Sequence, residues 1–195
     1  MAQPTLPTER ITLVPLAEEH LEYEVELDAQ PEVMRFLTGR SRTREEVETI
    51  HRRRLAIARD NPGLGFWSGF VAGEFVGWWI LEPPERAEQR ASGHAELGYR
   101  LLPRFWRQGL ASEGARALIE YGFAQLGLER IIAETMAVNE ASRATMAAVG
   151  LRYVRTFHLE FEEPLPGSDQ GEVEYAISRD EWVTASSRGR DRSAP

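Results

Sequence analysis

Cysteine and lysine are both absent from this sequence. Without cysteine there is no disulfide, no thiolate metal ligand and no cysteine nucleophile. Without lysine, a Schiff base and a Walker-type phosphate lysine are ruled out; all 23 basic residues are arginine. Long apolar runs are missing too. The longest, Val76 to Leu81, falls far short of the roughly 20 residues that a membrane helix needs. The opening MAQPTLPTER has no basic-then-apolar export pattern, so a cytoplasmic location with no membrane partner is expected. A basic surface is also lacking. The 31 acidic residues give a net charge of −8 and a pI near 5.2. That argues against a nucleic-acid partner. It suits a cationic substrate such as an amine, and equally a plain soluble acidic surface.

What is present is enough for one folded domain. Hydrophobic residues make up 42% and charged residues 28% of 195 positions, an ordinary globular balance with material for a core. Residues 1–8 read as a disordered leader, 9–184 as a single domain and 185–195 as a disordered tail. Arg10 to Leu16 alternates and predicts a first strand. Glu18 to Asp28 predicts a short helix, broken at Gln30-Pro31. Thr43 and Glu46 form a capping box whose helix runs to about Asp60 and stops at Asn61-Pro62-Gly63. Gly65–Val71 and Phe75–Leu81, around Ala72-Gly73-Glu74, predict a hairpin. Its tryptophans (Trp67, Trp78, Trp79) suit either core packing or a pocket wall. Glu82 to Ser92 reads as a polar loop. Further strands are expected over Gly93–Leu102, Arg130–Val138, Leu151–Glu163 and Glu172–Ser178. In the third of these Leu151, Tyr153, Phe157, Leu159 and Phe161 share a face, with Arg155 the exception. Helices are expected after Gly109, over Glu140–Val149, and briefly from a second capping box, Ser178 with Glu181. The fold class is α/β in the mixed α+β sense. A strand-helix-strand-helix-strand centre favours parallel pairing, and hairpins make the flanks antiparallel.

The stretch that organises the rest is Leu101 to Ala124: a strand end, a tight turn and a helix. The helix opens in Arg107-Gln108-Gly109-Leu110-Ala111-Ser112, where small side chains let an anion approach free backbone N–H groups and the positive end of the helix dipole. The stretch reads as a phosphate site or as an ordinary strand-to-helix turn. It is neither a Walker loop nor a dinucleotide fingerprint, since lysine and G-x-G-x-x-G are both absent.

Several segments, in order, resemble the GNAT acyl-CoA N-acyltransferases, and among them the RimJ/RimL-like branch that acetylates ribosomal-protein N-termini and related amines. They are Glu9-Arg10-Ile11-Thr12-Leu13 with Pro15-Leu16, Asp28 through Leu37, Glu96-Leu97-Gly98-Tyr99-Arg100-Leu101 with Pro103, Trp106 through Gly114, Asn139 with Ser142-Arg143 and Gly150-Leu151, and Glu174-Tyr175-Ala176 with Trp182. The resemblance spans about residues 8–183. It implies a central mixed, mostly antiparallel sheet of six or seven strands, with parallel central strands splayed for CoA and four or five flanking helices. It implies acetyl-CoA as co-substrate, no metal, an amine acceptor and a homodimer. The backbone of Arg107, Gln108, Gly109, Leu110, Ala111 and Ser112 would cradle the pyrophosphate. The pantetheine would pair with backbone from Tyr99 to Leu101 and be bonded by Asn139, whose other role is a helix N-cap. Ser142 would face the thioester region, with a capping contact as its other role.

The implied reaction is direct attack of a neutral amine on the thioester. Alkyl amines are mostly protonated at pH 7, so a base is required. Glu96 is the first candidate, against a role as a solvated strand charge; Glu134 is the second and His94 the third. The family often places a tyrosine acid seven residues after the asparagine, where this chain has Met146. Two other readings stand beside the enzyme: a non-catalytic acyl-CoA-binding module, which Met146 favours, and an interaction protein using its tryptophan-rich hairpin. The resemblance implies an acceptor pocket built from the first two helices and the late hairpin, segments 30–45 and 155–172.

Overall fold

The computed structural model describes residues 2–160 and 163–191. Eight strands form one sheet: β1 (Leu6–Pro7), β2 (Thr12–Pro15), β3 (Gly65–Val71), β4 (Glu74–Glu82), β5 (His94–Leu101), β6 (Arg130–Met136), β7 (Arg152–Phe157) and β8 (Glu172–Ser178). Among the described residues six α-helices flank it: α1 (Leu21–Asp28), α2 (Pro31–Met34), α3 (Arg44–Asp60), α4 (Leu110–Ala124), α5 (Glu140–Ala148) and α6 (Arg179–Asp191). Two elements go beyond the expected set. β1 lies inside the stretch read as a leader, because Leu6 and Pro7 find partners in Leu13 and Thr12. α2 follows the Gln30-Pro31 break, because a proline at the first helical position loses no hydrogen bond. α6 likewise runs through residues 185–191, into the stretch read as a tail. Ser178 and Glu181 cap it reciprocally at 2.9 and 3.3 Å, as the sequence pattern predicts.

The sheet order is β1-β2-β3-β4-β5-β6-β8-β7. All neighbours are antiparallel except β5 and β6. β8 slots between β6 and β7, so the expected parallel run of three strands reduces to one pair. Even that pair is short. His94, Ala95 and Glu96 match Arg130, Ile131 and Ile132, and then the strands part although both continue, to Leu101 and Met136. The splay expected from the family resemblance is therefore present, and it begins at Glu96.

Alternation divides the core between the two faces of the sheet. Trp67, Trp79, Leu97 and Ile131 pack beneath α4 with Leu118, Tyr121 and Phe123. Phe66, Trp78 and Ile80 face the other way, onto Leu27, Val33 and Met34 of α1 and α2. Adjacent Trp78 and Trp79 thus belong to different layers, as the period of two requires. Trp79 is fully buried and its indole N–H donates to the Ala111 carbonyl at 3.1 Å. A Cβ on Gly114 would lie 2.4 Å from that ring, so glycine there is what lets the start of α4 sit close on the sheet.

β7 departs most from expectation. It ends at Phe157 because its partner β8 begins opposite, at Glu172. A register shift between Tyr153 and Arg155 inserts one extra residue, a bulge. Tyr153 therefore faces Tyr175, while Arg155 and Phe157 share the opposite face with Glu174. Tyr153 and Phe157 do not share a face, and Arg155 stops being an exception. Phe161 lies outside the described residues.

Candidate active site

The splay opens a cleft of about 700 Å³ that runs from the Gly109 turn, between β5 and β6, to residues of α2 and β8. Its two ends are built differently.

At the turn end, Gly109 is the N-cap of α4 with φ +77° and makes no side-chain capping bond. The first N–H groups of the helix have no acceptor inside it. Arg107 has φ +58°, in a region that costs a side-chain-bearing residue about 1–2 kcal/mol. The segment preceding β2 fastens this turn from outside. The Arg10 guanidinium donates to the Gln108 carbonyl at 2.9 Å, and to Glu113 at 2.7 Å through Nε. Thr8 donates to the same carboxylate at 2.6 Å. Glu113 resists ionisation through its partial burial, but these bonds outweigh that and hold its pKa low. The Glu113 carboxylate, in the first turn of α4, is thereby paired with Arg10. Trp106 donates its indole N–H to the Leu101 carbonyl at 2.7 Å. Tyr99, Leu101, Arg107, Gly109, Leu110, Ala111 and Ser112 all line the cleft; Gln108 does not, its side chain bonding back to the Arg104 carbonyl.

Midway, Asn139 caps α5 by accepting from the Ser142 N–H at 3.2 Å, and donates to Thr135 at 3.0 Å. The N-cap role is thus present, with Asn139 also on the cleft wall. The Tyr99 hydroxyl donates to the Ser142 carbonyl at 3.0 Å and lies 3.3 Å from its hydroxyl. Burial pushes the Tyr99 pKa up to about 12. Met146 is buried against the same wall and offers no proton.

At the far end the candidate bases separate. Glu134 lines the cleft; burial raises its pKa. Glu96 does not line it. It sits at the last paired rung, opposite Glu82, and burial, then Glu134 and Glu82, push its pKa up to about 7. His94 does not line the cleft either, its Nδ1 lying 3.1 Å from the Gln89 carbonyl. Of the three candidates, Glu134 alone borders the cleft. The sequence could not see why: β5 and β6 diverge, so only the strand positions beyond Glu96 and Ile132 border the gap.

Around Glu134 stand residues that pattern reasoning missed. Gln89, from the polar loop, donates to Glu134 at 2.5 Å and to Glu174 at 3.2 Å. Glu172 lines the cleft, and its pKa is raised by burial and by Glu134. Glu32, Phe36, Leu37 and Leu159 complete the mouth, within or next to the two segments expected to build it. Trp78 forms part of the wall, its ring held between the guanidinium groups of Arg54 at 4.8 Å and Arg100 at 4.7 Å. Those cations are themselves paired. Arg54 and His51 meet Glu24 at 2.5 and 2.6 Å, and Arg100 and Arg42 meet Asp28. Burial lowers the Arg100 pKa to about 10. Among the hairpin tryptophans, then, Trp67 and Trp79 are core alone, and Trp78 is core that also forms wall.

Residues 10–152 match the acetyltransferase (GNAT) domain family. The chain belongs to the GNAT acetyltransferases. It is 46% identical, over 98% of its length and 83% of the relative's, to the FsC-acetyl coenzyme A-N(2)-transacetylase of Aspergillus fumigatus. Among solved structures it is similar to Mycobacterium smegmatis RimJ in complex with CoA-disulfide, with TM-score 0.75, 20% identity, and coverage of 95% of this chain and 98% of that one. Spermidine N-acetyltransferase from Vibrio cholerae, in complex with CoA and spermine, gives TM-score 0.72 at 16% identity, over 89% and 98%. These two likenesses establish a shared GNAT fold. Among the described residues no helix is long and apolar enough to cross a membrane, and no cluster of side chains could hold a metal ion.

Proposed function

We propose that this GNAT enzyme transfers the acetyl group of acetyl-CoA to the amine of a small molecule, by direct attack in a ternary complex. The observation that carries this reading is the splay. β5 and β6 stop pairing at Glu96 and Ile132, and the gap they leave connects the Gly109 turn to Glu134. The N–H groups following Gly109 would take the pyrophosphate, with Arg107 adding charge. The pantetheine would lie in the gap against Tyr99 and beside Asn139. Glu134 would take a proton from the acceptor nitrogen, which attacks the thioester carbonyl carbon. A backbone N–H on β5 would meet the developing oxyanion. As the C–S bond breaks, the thiolate leaves with a proton drawn from the Ser142–Tyr99 pair or from water, since Met146 has none to give.

The acceptor class follows from the mouth. Phe36, Leu37, Trp78 and Leu159 present apolar walls, with Leu37 and Leu159 about half exposed. Glu134 and Glu172 supply two carboxyl groups between them. That chemistry fits an ammonium carried on an apolar body. The N(2) in the name of the Aspergillus relative is, in amino-acid numbering, an α-amine, and we extend that preference to this chain. A cytoplasmic homodimer is proposed with it, to be checked by cell fractionation and light scattering.

The test is acetyl-CoA with L-alaninamide, 1,4-diaminobutane and a peptide with a free N-terminus, products being read by mass. Acetylation of the small α-amine is expected. Acetylation of the peptide alone would replace the small-molecule reading. The specific observation favouring a second reading is Met146. Strong thermal stabilisation by acetyl-CoA with no acetylated product from any amine would support the non-catalytic acyl-CoA-binding module.

A further inference from the structure

The loop between β4 and β5 contributes one side chain to the interior of the site. Gln89 ends a 3₁₀ turn (Ala87–Gln89) and is only 7% exposed. Its Nε2 is 2.5 Å from Glu134 Oε1 and 3.2 Å from Glu174 Oε2. The amide orientation follows from electrostatics. Reversed, it would set a carbonyl oxygen against two carboxylates, whereas the NH₂ group has one proton for each. Its own Oε1 has no partner among the described residues. An apolar side chain of similar length would fill the space without leaving that oxygen buried and unpaired. The two N–H bonds are therefore what the site gains from glutamine.

The two carboxylates differ in what else they meet. Glu174 is paired with Arg155 at 2.8 Å and with Arg130 at 3.8 Å. Glu134 has no such close cation among the described residues. Arg86 and Arg155 act on it at longer range, against the repulsion of Glu174. Gln89 is its direct donor, and the loop is stiffened to hold it. Gln89 N–H donates to the Arg86 carbonyl at 3.0 Å, Ala91 N–H to the Gln89 carbonyl at 2.9 Å, and Arg90 to the Pro84 carbonyl at 2.9 Å. Arg86 lies 4.1 Å over the Phe157 ring, which fixes the loop to β7.

We infer that Gln89 is a positioning residue for Glu134: it holds one carboxylate oxygen, favours the ionised form and leaves the other oxygen for the acceptor amine. The inference rests on Glu134 being the base. Charged and titratable groups act on Glu134 from several elements. They are Arg86 of the loop, Arg155 of β7, Glu172 and Glu174 of β8, and Glu96 of β5. Gln89 differs from all of them in having no charge to lose. Its bond therefore persists across pH, where a lysine or histidine donor would titrate.

Carboxyl-carbon NMR titration of the ligand-free protein, with selectively labelled glutamate and Glu134→Gln for assignment, tests this directly. In Gln89→Met, of similar size without the donor, the Glu134 midpoint should rise by about one pH unit. Gln89→Asn keeps the amide but withdraws it by one methylene, and should show the same direction of change. An unmoved Glu134 midpoint, in whichever variant folds, overturns the inference and leaves Gln89 as packing alone. With acetyl-CoA and L-alaninamide, the acid limb of the pH–turnover profile should move with the NMR midpoint, and KM for acetyl-CoA should stay unchanged. If Glu134→Gln retains full turnover while the NMR midpoint does move in Gln89→Met, the base assignment fails and the Gln89–Glu134 coupling stands.

Discussion

The two ends of the cleft are made in opposite ways. The turn end is one contiguous stretch, Arg107 to Ser112, steadied from outside by Thr8 and Arg10. The groups it offers are backbone N–H, so almost any small side chain would serve provided the chain turns at Gly109. The carboxylate end draws Gln89, Glu134, Arg155 and Glu174 from a loop and three strands. Its working groups are side chains whose protonation depends on what surrounds them. In the proposed reaction the first end addresses an anion and the second sets the state of a proton. Substitutions should therefore separate the two.

Glu134→Gln gives the largest expected effect. Loss of a general base lowers turnover by about 10²–10³-fold, with thermal stabilisation by acetyl-CoA retained. Loss of stabilisation instead would mean that the two ends are not independent. Gly109→Val should give the converse result. A β-branched residue at φ +77° is strained by about 1–3 kcal/mol, and its Cβ would stand 3.5 Å from the Arg10 guanidinium that holds the turn. KM for acetyl-CoA should rise by on the order of 10²-fold, with the fold preserved by circular dichroism; unchanged affinity for CoA would remove the phosphate role from the turn. Asn139→Ala tests the middle. Losing the N-cap of α5 should cost about 1 kcal/mol of stability in denaturant unfolding, and a further rise in KM for acetyl-CoA would add the cofactor contact to the cap.

The smallest expected effect concerns Glu96. Its pKa is about 7 in the folded protein and near 4.3 when unfolded. Between those values the folded state binds more protons, so this group's contribution to stability falls as pH rises from about 4.5 to 7. Glu96→Gln should flatten that slope in melting temperature measured against pH, with turnover reduced much less than in Glu134→Gln. If Glu96→Gln instead abolishes turnover and Glu134→Gln does not, the order of the two carboxyls returns to the one the sequence suggested.

Much of the fold was legible because its signals are local. The capping boxes at Thr43 and Ser178, the Gly109 and Asn139 helix starts and the Ala72-Gly73 hairpin depend on neighbours within four residues, and each forms as read. Tyr153 shows where such reading stops. Alternation assigned it to the face of Phe157, and a single bulge moved it to the other. A bulge depends on the partner strand, here β8, which adjacent residues do not encode. The same limit applies to Trp78 and Trp79. Their composition allowed core or wall, and only their opposite faces in β4 gave Trp78 both roles and Trp79 the first alone.

By itself, the sequence determined the turn end of the cleft: a glycine-started helix, no lysine, small residues after the turn, and family segments in the right order. Those properties belong to a continuous piece of backbone, so they survive without knowledge of the rest of the chain. The tertiary structure decided the chemical end. It placed the divergence of β5 and β6 just beyond Glu96, which leaves Glu96 at the closed end of the gap and Glu134 on its wall. It also brought Gln89, 45 residues away in sequence, against Glu134. A pKa is set by burial and by neighbours in space, and both of these are products of folding.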